Sequence, residues 1–582
     1  MHITEFLMQV DEAATRLSKE ALAAFIHNEA RQLPEVRRTV FLQSLEASSV
    51  QKALSADPLP QDLAKRAERI KEKLSGFDDP DRYLVGEFNE EYDDWYNDEV
   101  PMILYKDPYH LMDDIREAIR ILRELLDWER FREAFEIADL LLNLTVNGEG
   151  DYDHEDLSLG TLFEYELLTG DLRSVQLDAL YAAYMAHGPQ DRAPALYAFF
   201  RLAQSSGLGL EDVMQHAQRE LPDVPAFLPQ WIDYLGTQTG TAAQRLILEA
   251  FDGIADQQAL RAYAQKFSRT HPCLYRKLLT DSADREPGEQ LSLGQEALAN
   301  IPEDYVIRSE IALLTAHAAS ATDAVDAFDN CLLEAFRSDP SAVNYLRLVR
   351  ESKGVKWKAA ADHIISSLHA PSADAYRSYL PAVNAEDELR RRSCTVFDYY
   401  GVLFLHGDYD TVLKKGMRAK SPLGWSNTFL KCGIALFLLL LDRSGRTGSG
   451  CAAMRRLAMQ ALSFTEESYM HGLRATEGTG DDALFMKLFR QTTDRTPLSQ
   501  EQQEAIFGKI GSLIDLRVKA IVSQQKRNQY EESAAFLAAW GEVFESRGEP
   551  DGKQCILTIY RDQFPRHNAF TAALKRYGWR KE

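Results

Sequence analysis

The chain has 582 residues, 45% apolar and 27% charged, with a formal net charge of −23. This length exceeds one ordinary core and implies several domains or one elongated array, and the apolar share is enough to bury them. The acidity sits in the first third, where residues 1–200 hold 41 Asp+Glu against 20 Lys+Arg while the other 382 hold 48 against 46; such a field repels nucleic acid and anionic membrane and attracts a basic partner.

From the N-terminus, MHITEFLMQVDEAATRL places acids where a secretion signal needs an apolar core, so no signal or transit peptide is expected. Residues 1–75 read as a small helical unit with Pro34 opening one helix. Residues 76–101 form a separate acidic, aromatic segment. Its stretch EFNEEYDDWYNDEVP, 87–101, holds seven carboxylates and four aromatics with no Lys or Arg. Phe88, Tyr92, Trp95 and Tyr96 recur on one side of a helical register. The segment therefore predicts an acidic helix or turn, its rings docked on Ile103, Leu104 or the next hairpin and its carboxylates wet. Asp93, Asp94, Trp95, Tyr96, Asp98 and Glu99 become the candidate surface for a basic protein partner. The blander alternative is a solvated loop.

Residues 102–284 read as a helical-hairpin array. In 113–144, Ile115, Ile119, Leu122 and Leu126 recur at spacings of three and four, and Phe131, Phe135, Ala138 and Leu142 repeat the pattern after a break at Asp127–Glu129. Trp128 is placed as a wedge in that turn. GEGDYDHEDLS, 148–158, reads as a loop. Further pairs are predicted at 177–207 around His187-Gly188-Pro189 and at 241–272 around Gly253. Residues 285–582 read as a second array, with pairs at 341–371, where Gly354 ends a helix, and at 531–564. Gly, Pro and Asp mark the turns. The most apolar run, CGIALFLLLL at 432–441, is about half the roughly 20 residues of a membrane span and predicts a buried helix. RSGRTGSG, 443–450, reads as a flexible connection. No period-2 strand run stands out. The expected fold is all-α, with hairpins stacked as an α-solenoid so that each covers the next one's apolar face; tandem helical bundles are the competing architecture.

The first hairpin, DDIREAIRILRELL followed by RFREAFEIADLLLNL, leads into an Asp-rich stretch ending in a Ser-Leu-Gly turn (GDYDHEDLSLG, 150–160). The C-terminus YRDQFPRHNAFTAALKRYGW, 560–579, is a basic helix followed by a short last one. With the hairpin at 341–370, these segments resemble the helical region that accompanies bacterial SWIM zinc-finger proteins. The finger's Cys-x-Cys and Cys-x-His are absent, so no zinc or nucleic-acid role is carried over. The resemblance implies a tetratricopeptide-like helical scaffold.

Motifs for chemistry are missing. No HExxH, CxxC, G-x-S-x-G or phosphate-loop pattern occurs. Asp151, Asp153 and Glu155 occupy positions 1, 3 and 5 of a calcium loop, but Asp156 stands where Gly is needed and Leu162 where Glu is needed. Six scattered cysteines are not a disulfide framework. His27, His216, His317 and His363 lie within helices, where packing or solvent exposure is commoner than ligation, and His271 has no metal partner near it in sequence. Two basic patches remain: Arg390, Arg391 and Arg392 with Lys414 and Lys415, and the C-terminal Lys575 and Arg576. They are read as solvated faces, with phosphate contact as the alternative. The expectation is a non-enzymatic, cytoplasmic scaffold or adaptor without cofactor or metal, binding a protein partner, with nucleic acid and membrane disfavoured. The rivals are a nucleic-acid-associated regulatory subunit using those basic patches, and an enzyme whose site is assembled from distant helices.

Overall fold

The computed structural model describes residues 60–77, 81–88, 103–150, 154–202, 205, 207–281, 286–369, 394–419, 421–425, 428–444, 448–473 and 478–581. They are predominantly helical. The periodicity is realised as paired helices: Leu111–Asp127 with Phe131–Leu142, Leu172–Ala186 with Pro189–Phe200, Ala342–Glu351 with Trp357–Ser367, and Tyr530–Ser546 with Gly552–Gln563. The pair predicted around Gly253 is Thr241–Asp252 followed by Gln257–Lys266. Contacts group the chain into two compact units, Met1–Ala262 and Tyr263–Glu582.

Local chemistry starts many of these helices. Asp107 accepts the Leu111 and Met112 amides at 2.9 and 2.8 Å. Ser341 caps Asn344, Thr395 caps Asp398, and Ser499 forms a reciprocal box with Gln502. In the first hairpin the chain reverses at Trp128, which is half-buried, and at Glu129, which takes a left-handed φ of 56°.

The all-α expectation holds for most of the described residues, with one addition. Residues of the first unit form a four-stranded sheet: β1 (Tyr83–Phe88), β2 (Ile103–Lys106), β3 (Thr145–Gly150) and β4 (His154–Ser158). Its order is β2-β1-β3-β4. β1 pairs antiparallel with β2 and parallel with β3, and β3 pairs antiparallel with β4. The predicted loop at 148–158 is thus the end of β3 and all of β4, on either side of residues 151–153. Of the predicted acidic helix or turn, the described residues Glu87 and Phe88 are strand. The parallel step from β1 to β3 needs a crossover, supplied by β2 and the first helical hairpin. The sheet nonetheless keeps period 2: Leu84, Val146 and Leu157 share one face and are fully buried.

In the first unit Arg66 ties the helix Gln61–Leu74 to Leu111–Asp127, reaching Glu117 at 3.1 Å and both oxygens of Glu124 at 3.0 Å. The hydrogen-bonding guanidinium holds the Glu124 carboxyl below the usual carboxylate range. In the second unit the run at 432–441 lies in the helix Leu430–Leu441, whose Cys432, Ile434, Leu436, Phe437 and Leu438 are wholly buried. Among the described residues no helix is long and apolar enough to cross a membrane. Two cations are sealed into this unit. Arg347 donates to the carbonyls of Tyr469 (3.0 Å) and Ser468 (2.5 Å), and burial pushes its guanidinium down to about 10. Arg517 bonds Glu532 at 2.9 Å and lies 4.5 Å over the Trp425 ring.

A second kind of cap operates between helices. Glu249 accepts the Glu211 amide at 2.7 Å, at the start of Leu210–His216. Glu542 accepts the amides of Gly450 (2.9 Å) and Cys451 (2.7 Å), at the start of Ser449–Ala461, and also pairs with Lys553 at 2.6 Å. Carboxylates also hold loop amides just before helices: Glu466 accepts Thr479 and Gly480 at 3.2 and 2.8 Å, ahead of Asp481–Thr493, and Asp329 accepts Lys353 and Gly354 at 2.8 and 2.7 Å, in the loop before Trp357–Ser367. Glycines make room for them. A Cβ at Gly209 would meet Glu249 at 2.4 Å, one at Gly448 would meet Glu542 at 2.2 Å, and one at Gly354 would meet Asp329 at 2.8 Å.

Two outcomes follow from these caps. Glu542→Gln removes the charge that answers Lys553 and weakens two amide bonds, so its urea midpoint should fall by the equivalent of about 1–3 kcal/mol. Glu531→Gln removes an exposed partner of Arg576 and should change stability by no more than about 0.5 kcal/mol. Equal effects would remove the distinction between buried cap and surface pair. For Glu249, burial raises the carboxyl above its usual 4.5, and the Glu211 and Leu210 amides oppose that rise in part. The native state therefore binds more protons than the unfolded chain between 4.5 and the higher native value. Stability contributed by the protonated group is complete below that window and is lost as pH rises through it. Glu249→Gln keeps the acceptor and should flatten this segment of a melting-temperature profile against pH; a slope unchanged from wild type would contradict the assignment.

Candidate interaction surface

The strand registers determine where the acidic motifs emerge. Phe88 ends β1 opposite Ile103, which begins β2. Because β3 runs parallel to β1, with Gly86 opposite Gly150, β3 ends at the same edge of the sheet. β4 starts there too, with His154 following Glu149 across the ladder. The connections 89–102 and 151–153 thus both leave from one end. By sequence they carry Glu90, Glu91, Asp93, Asp94, Asp98 and Glu99, and Asp151 and Asp153. Two motifs that are about sixty residues apart in the chain are anchored at one sheet end.

On the sheet's inner face the sequence pattern explains a polar cluster. Tyr105, on β2, lies across Gly86 and Gly148: a Cβ at Gly148 would stand 2.8 Å from its ring, and one at Gly86 would stand 2.9 Å from Ile103. Only glycine leaves the strands flat enough for the ring to cross. Tyr105 then donates its hydroxyl to Glu155 at 2.8 Å, and Tyr165 donates to the other Glu155 oxygen at 3.3 Å. The two rings stack with centroids 6.0 Å apart. Burial, and next the bond to Glu155, raises the Tyr105 phenol well above its usual range, and burial likewise raises Tyr165. Both phenols therefore stay protonated, and their two hydrogen bonds fix Glu155 as an oriented acceptor. The other face carries Val85, the Glu87–Lys106 pair at 2.5 Å and Leu104, which is 49% exposed. β2 and β4 are the outer strands.

Asp93, Asp94, Trp95, Tyr96, Asp98 and Glu99 lie outside the described residues, as do Arg390, Arg391 and Arg392. Leu104, expected beneath the docked rings, lies on β2. The basic residues that are described do not act alike. Arg576 pairs with Glu531, Lys575 lies 6.0 Å from the Trp579 ring, and Lys414 reaches Asp410 at 3.3 Å, whereas Lys415 is exposed. Among the described residues no group of three His, Cys, Asp or Glu can hold a metal ion. His216 bonds Asp178 at 2.8 Å and His317 bonds the Leu473 carbonyl at 3.1 Å. Burial raises the thiols of Cys331, Cys432 and Cys451, which makes them inert rather than nucleophilic.

No known protein family matches the chain, and no curated protein matches it. Sequence reasoning passed over Tyr105 and Tyr165 and read Glu155 only as position 5 of a calcium-loop pattern that fails. Their signal was the glycine placed within the alternation of YLVGEF and TVNGEG, which marks close approach of another group to a strand.

Gly148→Ala should lift the Tyr105 ring from Glu155 and loosen β2 and β4. Amide hydrogen exchange should quicken in these strands, while the Leu172–Ala186 helix keeps its protection. Unchanged strand protection would mean that the glycine is not needed for the ring's position.

Proposed function

We propose that this chain is a non-enzymatic scaffold that captures a basic protein segment at the acidic end of its small sheet. The observation that carries this reading is the strand topology, which anchors both acidic connections at one end. A concentrated negative field with aromatic residues inside it suits Lys/Arg-rich chains: charge steers the encounter, and Trp95, Tyr92 and Tyr96 offer ring faces to guanidinium and ammonium groups. The paired helices serve as the platform, stacked as a tetratricopeptide-like array, and the cytoplasm is the setting that reduced, scattered thiols suit. A nucleic-acid-associated subunit is the lesser reading, because the described C-terminal patch spends Arg576 on Glu531.

The test uses the full chain and a synthetic Lys/Arg-rich peptide. Replacing Asp93, Asp94, Asp98 and Glu99 together by Ser should weaken binding about tenfold or more at low salt and leave the melting temperature unchanged. Raising salt from about 0.05 to about 0.5 M should weaken wild-type binding in the same direction, because exposed charges are screened over a shorter length. Equal affinity for wild type and variant, or binding indifferent to salt, would overturn the reading.

A further inference from the structure

Most described cations of the second unit that approach another charge meet an acid: Lys431 and Arg517 meet Glu532, Arg455 meets Asp482, and Lys553 meets Glu542. One cluster departs from this pattern. Residues Val412–Gly416 form a π turn, closed by the Met417 amide donating to the Val412 carbonyl at 3.0 Å. It lies tight against the helix Val396–His406, since a Cβ at Gly416 would stand 2.8 Å from the Tyr400 ring. Wide turns of this kind occur mostly as single turns and often at functional positions.

The turn carries Lys414 and Lys415, and Arg418 follows it; all three side chains are exposed. A fourth cation arrives from another element. Lys509, on the helix Gln500–Ser523, donates its ammonium to the Leu413 carbonyl at 2.5 Å, which tethers it to the same turn. Asp410 answers Lys414 at 3.3 Å. Among the described residues no acid is paired with Lys415, Arg418 or Lys509. Burial, and then the Arg418 guanidinium, push the Lys509 ammonium below its ordinary value. Like charges held near one another without an anion are costly, and the cost falls when a bound anion joins them.

We infer that this turn is a binding site for a phosphoryl oxyanion, held by Lys415, Arg418 and Lys509. Arg418 offers the planar fork that matches two phosphoryl oxygens, and the two lysines supply compact charge. The Leu413 tether holds Lys509 in place before the ligand arrives, which lowers the ordering cost of binding. This site is distinct from the acidic sheet end and needs no partner bound there.

The experiment titrates the full-length protein with inorganic pyrophosphate and, separately, with a short single-stranded oligonucleotide, at low salt. The variant is Lys415→Ser with Arg418→Ser, which changes exposed side chains and leaves the Lys509 tether and the packing on Tyr400 in place. Lys575→Ser is the control. Wild type and control should bind pyrophosphate alike, and the double variant should bind about tenfold or more weakly. Binding of the oligonucleotide alone, with the same loss in the variant, would keep the phosphoryl chemistry and place it on a polymer. No binding of either probe, or equal binding by wild type and double variant, would overturn the inference; an unchanged melting temperature of the variant shows that a loss is not unfolding.

Discussion

The structure depends on carboxylates reaching out of one helix to satisfy the first amides of another. Every helix begins with amides that have no partner inside it. At an exposed end water meets this need, but where helices pack side by side the end is enclosed and the group must find a partner in the protein. Glu249 and Glu542 provide it, over separations of 38 and 92 residues. A carboxylate in this position also faces the positive end of the helix dipole. Apolar packing tolerates small slides between helices, whereas an amide–carboxylate bond at 2.7 Å does not. The caps therefore set register where greasy surfaces alone would leave it loose. Their cost appears at Glu249, where desolvation of the charged form outweighs the amide bonds.

These caps also show why a helical array can be read from sequence more easily than its assembly. The spacing of Ile115, Leu122 and Leu126 states which face of a helix is buried, because burial follows the 3.6-residue period. A glutamate such as Glu542 has no such signature: in the sequence it resembles any solvated residue between apolar ones. Its accompanying glycines are the visible trace. Gly209 and Gly354 could be taken for ordinary helix stops, yet each also vacates the volume that a distant carboxylate occupies.

The sheet was hidden for a different reason. Its strands are four to six residues long, and glycines interrupt the apolar alternation at positions 86, 148 and 150. Glu155 adds a carboxylate on the inner face, opposite Gly148, where an apolar residue would announce a strand. The acids of β4 look like part of a loop until Tyr105 and Tyr165 are placed against one of them. The candidate surface was therefore half legible. Its charge and aromatic content were plain in 87–101, but the joining of that segment's ends to those of 151–153 depends on the parallel pairing of β1 and β3, with β2 and a whole hairpin between them.

Charge is unevenly distributed along the chain. Seven carboxylates in 87–101 with no base among them cannot neutralise one another, and of these the described Glu87 pairs with Lys106 across the sheet. Like charges kept together in this way raise the free energy of the unbound protein, so part of the attraction for a cation is stored before any encounter. The π turn at Val412–Gly416 applies the same logic with the opposite sign: the carbonyl of Leu413 holds Lys509 among cations that it would otherwise avoid. Helical packing that pairs Arg517 with Glu532 and Lys553 with Glu542 shows that this chain can place counter-charges where stability calls for them. Among the described residues Lys415, Arg418 and Lys509 are paired with no acid, and a cluster of that kind is where a fold gives up stability.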